Sequence, residues 1–159
     1  MKLSEKHSSQ IECKGGMKMF KRILVPTDVS DSSRHALITA LKLAKQFNSE
    51  VELFHVTFSP EAYLGYEMSY GLIMTPEQIE KIGEAALEAA LTGIDVGDVL
   101  LQKKHTSGHP ASEIIEEIKR DFDLVVMGSH GHGIIAGAFL GSVTQRVLAR
   151  TQCPVLVVK

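Results

Sequence analysis

The sequence predicts an α/β fold, a five-stranded parallel sheet in the order 3-2-1-4-5 with helices on both faces. Three observations predict it. Short apolar runs such as Ile23-Leu24-Val25 and Leu124-Val125-Val126-Met127 read as strands buried on both sides. Between the strands lie stretches whose apolar residues recur at three- and four-residue steps, the period of an amphipathic helix. The two kinds of segment alternate along the chain, which implies right-handed crossovers and a covered sheet.

Each element has its own justification. Arg22-Ile23-Leu24-Val25-Pro26 is the first strand, Thr27-Asp28-Val29-Ser30 the turn after it, and Ser30 the cap of the next helix. There Ala36, Leu37, Ala40, Leu41, Ala44 and Phe47 make one apolar face, and Asn48-Ser49 ends it. Val51 to Val56 is the second strand, in which His55 reads as a satisfied core residue. From Thr57 to Met74 the period is lost. This stretch, with Tyr63, Tyr66 and Tyr70, reads first as packing over the sheet edge and second as a lid or partner surface.

Thr75-Pro76-Glu77-Gln78 starts the next helix, with a capping box and a proline in the first turn, and the helix runs to about Leu91. Val99 to Lys103 is the third strand. Ser107-Gly108-His109-Pro110 then turns into a helix whose Ile114, Ile115 and Ile118, with Phe122, face the core. The fourth strand is Leu124 to Met127, the last helix Val143 to Arg150, and Pro154 precedes a fifth strand, Val155 to Val158.

The 159 residues suit a single domain, with residues 1–18 as a flexible tail and residues 19–159 as the folded part. A formal charge of -2 argues against a nucleic-acid partner, which demands a basic face. No apolar run approaches the ~20 residues of a membrane span. The start lacks the apolar segment of a secretory signal, and Cys13 and Cys153 do not make a disulfide framework. A cytoplasmic setting follows, with Cys153 as a small buried apolar residue.

Function concentrates in Met127-Gly128-Ser129-His130-Gly131-His132-Gly133, closed by Gly141-Ser142-Val143-Thr144. A strand, a glycine-rich loop and a helix start form an arrangement that binds phosphate, because small residues let backbone amides approach an anion. In the order 3-2-1-4-5 the strand order reverses between strands one and four, so Asp28 stands opposite Gly128 where ligands bind in such sheets. Asp28, Ser142 and Thr144 each have two readings, helix cap or ligand contact. A bulky residue at Gly128 or Gly141 is expected to abolish ligand binding and leave the fold intact.

Other chemistries fit less well. Gly131-x-Gly133-x-x-Ala136 matches a dinucleotide fingerprint but lacks the acidic residue about twenty positions on. No Walker-type lysine and no Gly-x-Ser-x-Gly elbow occur. His130 and His132 on the loop, with His105 and His109 after the third strand, lack acidic or thiol companions and make a poor metal site. The loop histidines read better as exposed or as hydrogen-bonding a phosphate. Without a lysine, a triphosphate needs charge relief from Mg²⁺ or Mn²⁺, backbone amides and Arg146, so binding is favoured over turnover.

Together these residues resemble the universal stress protein family. Its nucleotide-binding members share glycine, two residues, glycine, nine residues, glycine and serine or threonine, matched here by Gly128, Gly131, Gly141 and Ser142. The opening Ile-Leu-Val-Pro-Thr-Asp, the strand ending His55-Val56 and the closing Pro154-Val155-Leu156-Val157-Val158 are also similar. The resemblance implies a Rossmann-like domain that binds ATP, with Pro26, Thr27, Asp28 and Val56 at adenine and ribose. Met127, Gly128, Gly131, Gly141, Ser142, Val143 and Thr144 would then stand at ribose and phosphates. It further implies a stress-response regulator that acts as a homodimer through Val155–Val158, with hydrolysis slow or absent. Two alternatives stay open: a metal-dependent ATP hydrolase, and an interaction module without a ligand.

Overall fold

The structure, a computed structural model, describes residues 20–59, 74–132 and 140–159. The strands are β1 (Arg22–Thr27), β2 (Glu50–Phe58), β3 (Leu101–Gly108), β4 (Leu124–Gly128) and β5 (Val155–Val158). The described helices are α1 (Asp31–Phe47), α2 (Pro76–Leu91), α3 (Pro110–Ile118) and α4 (Ser142–Arg150). The sheet runs β3-β2-β1-β4-β5 and every neighbouring pair is parallel, as the sequence predicts. Expectations placed on residues 1–18, on Tyr63, Tyr66 and Tyr70, and on Gly133 and Ala136 lie outside the described residues.

Local signals act where the sequence places them. The Ser30 hydroxyl accepts from the Ser33 amide at 3.3 Å and starts α1, and Asn48 ends it in the left-handed conformation at φ 54°. Thr75 and Gln78 cap α2 reciprocally, at 3.2 and 2.8 Å.

The pleat divides the interior into two cores. Ile23, Val25, Val51 and Leu53 pack against Leu37 and Leu41 of α1 and Leu87 of α2. Leu24, Phe54 and Val125 pack against Ile114 and Ile118 of α3 and Val147 of α4. Beside this second core Glu52 and Glu117 are buried. Lys104 Nζ donates to both Glu117 oxygens at 2.6 and 2.7 Å. Arg22 Nη2 lies 3.9 Å from Glu52, whose Oε1 has no hydrogen bond. Burial first, then the charge of Glu117, raises the Glu52 pKa above the usual carboxylate value, against the opposing pull of Lys104, Arg22 and Arg120.

Three expectations are corrected. The third strand spans Leu101–Gly108 rather than Val99 to Lys103, because β2 offers a continuous ladder as far as Phe58. His105 therefore lies inside a strand, under Gly83 of α2, with Nε2 3.5 Å from Glu80. Ile115 is half-buried and packs against the second core as expected, and Glu117 is buried on α3 beside Ile118. Cys153 is also half-buried, with Sγ directed at the Phe122 carbonyl at 3.4 Å. No described helix is long and apolar enough to cross a membrane.

Candidate functional site

The chain leaves β1 through a turn that its own polar side chains hold. Thr27 Oγ1 accepts from the Val29 amide at 3.1 Å and pairs with Ser33 Oγ at 3.2 Å. Asp28 Oδ1 accepts from the Ser30 amide at 3.1 Å and from its hydroxyl at 2.5 Å. Between them Val29 sits at φ 67°, a left-handed conformation that β-branched residues rarely adopt. One Asp28 oxygen is thus spent on the cap of α1. The other lies against Gly131, where a Cβ would collide with it. Asp28 thus caps α1 with one oxygen while its exposed carboxylate lines the cavity.

The three glycines of the shared spacing differ in what surrounds them. A Cβ on Gly128 would lie 2.8 Å from the Ser32 carbonyl carbon and 2.9 Å from the Ser33 amide nitrogen. Gly128 therefore lets α1 close onto β4, which corrects the expectation that a bulky residue there spares the fold. At Gly131 the obstruction is only a side chain, that of Asp28. At Gly141 the nearest atom would be His130 Cα at 3.3 Å. Gly141 is the N-cap of α4 and donates its amide to the Ser129 carbonyl at 2.7 Å.

No side chain caps α4 and no acidic residue sits in its first turn. The amides of Ser142, Val143 and Thr144 have no carbonyl within the helix to reach, so they are available to an anion. The Thr144 hydroxyl is already engaged, donating to the Gly128 carbonyl at 2.9 Å. It ties the start of α4 to the end of β4.

These pieces enclose a cavity of roughly 410 Å³, within the range of small-molecule sites. Pro26, Thr27, Asp28, Val56, Met127, Gly128, His130, Gly131, Gly141, Ser142, Val143 and Thr144 line it. Ser129 and His132 do not. Ser129 is buried and bonds through its amide to the Val158 carbonyl at 2.7 Å. His132 Nε2 meets the Asp28 carbonyl at 2.7 Å and clips the two loops together. Both border a more open depression with His35 and Lys159, and His130 reaches both spaces.

Ser33, Phe54, Pro110 and Ile114 also line the cavity, and the sequence marks none of them as a site residue, Ile114 reading as core alone. Phe54 precedes Val56 by two, so strand periodicity alone places both on one face. Pro110 and Ile114 come from α3, whose approach depends on tertiary packing. His55 points away, with Nδ1 2.9 Å from the Thr27 carbonyl. His105 lies under α2, while His109 meets Arg146 beside α3. Among the described residues no three His, Cys, Asp or Glu side chains gather as a metal site.

A cavity with an apolar end at Phe54, Val56 and Ile114 and bare amides at α4 can hold a flat apolar ring joined to an anion. The family model described as the universal stress protein family matches residues 19–159. Universal stress protein MJ0531 of Methanocaldococcus jannaschii is 37% identical over 92% of this chain and 86% of its own. Among solved structures, MJ0577 of the same organism superposes with a TM-score of 0.68 at 32% identity, covering 89% of this chain and 96% of its own. A universal stress protein solved in complex with cAMP superposes with a TM-score of 0.60 at 27% identity, covering 89% and 98%.

Proposed function

The chain belongs to the universal stress protein family, and from that premise we propose that it is an ATP-binding regulator of the stress response. The nucleotide occupies the cavity at the carboxyl ends of β1 and β4, where the strand order reverses. Adenine lies toward Phe54, Val56 and Ile114, ribose near Asp28, and the phosphates at Gly131 and the start of α4. The single observation that carries this reading is the continuity of an apolar pocket with an uncapped helix start.

Hydrolysis is slow or absent. Among the described residues lining the cavity, the titratable side chains are Asp28 and His130, and one oxygen of Asp28 is held by Ser30. Mg²⁺ or Mn²⁺ would arrive on the phosphates, since the described side chains offer no ligand group of their own. When bound, the cation supplies charge neutralisation to the phosphates. The protein acts in the cytoplasm as a homodimer. An open β5 edge with Leu156 39% exposed supports that assembly.

The test is to denature the purified protein and run the released small molecules on a nucleotide-resolving column, then titrate the emptied protein with Mg-ATP. ATP or ADP near one per chain, or saturable binding on titration, is expected. An empty column followed by no binding would overturn the reading and favour a ligand-free interaction module.

A further inference from the structure

The cavity has a gap in its chemistry: among the described residues no lysine or arginine lines it. The sequence supplies none nearby either, since no Lys or Arg occurs between Arg120 and Arg146. A nucleotide with several phosphates would meet backbone amides but no fixed cation there. Amides alone favour a single anionic group, whereas a chain of phosphates needs compensating charge.

Arg146 is placed to supply it. It stands one turn after Ser142 on α4, on the same helix face. Side chains on a helix lean toward its N-terminus, so a long side chain at this position reaches back over Ser142. Its guanidinium donates from Nη1 to His109 Nε2 at 2.7 Å. Arginine has only donors, so His109 accepts at that nitrogen. His109 directly precedes Pro110, which lines the cavity from α3. The pair therefore bridges the starts of α3 and α4 at the rim, and no described residue engages the other N–H groups of Arg146.

Resting on the nucleotide reading above, the geometry points to Arg146 as the cationic contact for the distal phosphates, held at the rim by His109 as a positioning residue. Arg146 then sets the preference of the site for ATP over uncharged nucleosides. A guanidinium suits this role because its planar donors can hold His109 and a phosphate oxygen together.

Calorimetric titration with Mg-ATP and with adenosine tests it on the full chain. Arg146→Gln should weaken ATP roughly tenfold or more, the size of one charge-assisted contact, and move adenosine by less than about twofold. Arg150→Gln makes the same charge change one turn further from the cavity and should leave the ATP-to-adenosine ratio unmoved. His109→Ala should reduce the ATP preference, and His109→Gln, which keeps an acceptor, should restore it. Equal losses for ATP and adenosine, an unchanged ATP affinity in Arg146→Gln, or the same effect from Arg150→Gln would overturn the assignment while leaving the nucleotide site standing. A wild-type protein that binds neither ligand would overturn both.

Discussion

Substituting alanine in turn for Gly128, Gly131 and Gly141 separates fold from site within one sequence pattern. At Gly128 the added methyl lies 2.8 and 2.9 Å from backbone atoms of Ser32 and Ser33. Backbone at a helix start cannot rotate aside, so α1 must shift from β4. Overpacking of this kind costs about 1–3 kcal/mol. For a domain of this size that lowers the melting temperature by roughly 3–10 °C. At Gly131 the clash is with the Asp28 carboxylate alone, which can swing at the expense of its bonds to Ser30. Stability should change by less than about 1 kcal/mol, while affinity for ATP falls. At Gly141 the closest approach is 3.3 Å and φ is -68°. Alanine there should cost less than about 1 kcal/mol, chiefly as a poorer cap. Thermal melts and nucleotide titration of the three variants decide the matter. A Gly128→Ala protein melting with the wild type, or a Gly141→Ala protein less stable than the Gly128→Ala protein, would refute the reasoning.

Other consequences follow from single positions. Val29→Gly should stabilise the protein by about 1 kcal/mol, relieving the left-handed valine at φ 67°, and a lowered denaturant midpoint would count against that strain. Glu52 has a folded pKa raised above its unfolded value by burial and by Glu117. Its contribution favours the folded state below the usual carboxylate pKa and is lost as pH rises through the raised value. Glu52→Gln should therefore gain on the wild type in melting temperature between about pH 4 and pH 7; a difference independent of pH would contradict the buried-charge account. Leu156→Glu places a charge on the open edge of β5. Sedimentation should show the proposed homodimer giving way to monomer, and a dimer undisturbed by the substitution would exclude this edge as the interface.

Much was legible in the sequence because it depends on local pattern. The period of apolar residues marks each described element, and the caps at Ser30, Asn48 and Thr75 lie where side-chain chemistry puts them. The reversal between β1 and β4 follows from strand order, and with it the meeting of Asp28, Gly131 and the start of α4. What the sequence concealed are relations set by distant chain segments. β3 runs on past its apolar residues because β2 supplies partners as far as Phe58. Glu117 is inward because Lys104, on β3, neutralises it. Gly128 looks like a phosphate glycine, yet the backbone of α1 is what forbids a side chain there. Ser129 and His132 share the loop with Gly131 but border only the neighbouring depression, Ser129 through its bond to Val158 and His132 through its bond to Asp28. Periodicity and capping are properties of neighbours along the chain. Which glycine is a contact, which is a spacer, and that Arg146 meets His109 are decided only when helices from opposite ends of the sequence close on the same strand ends.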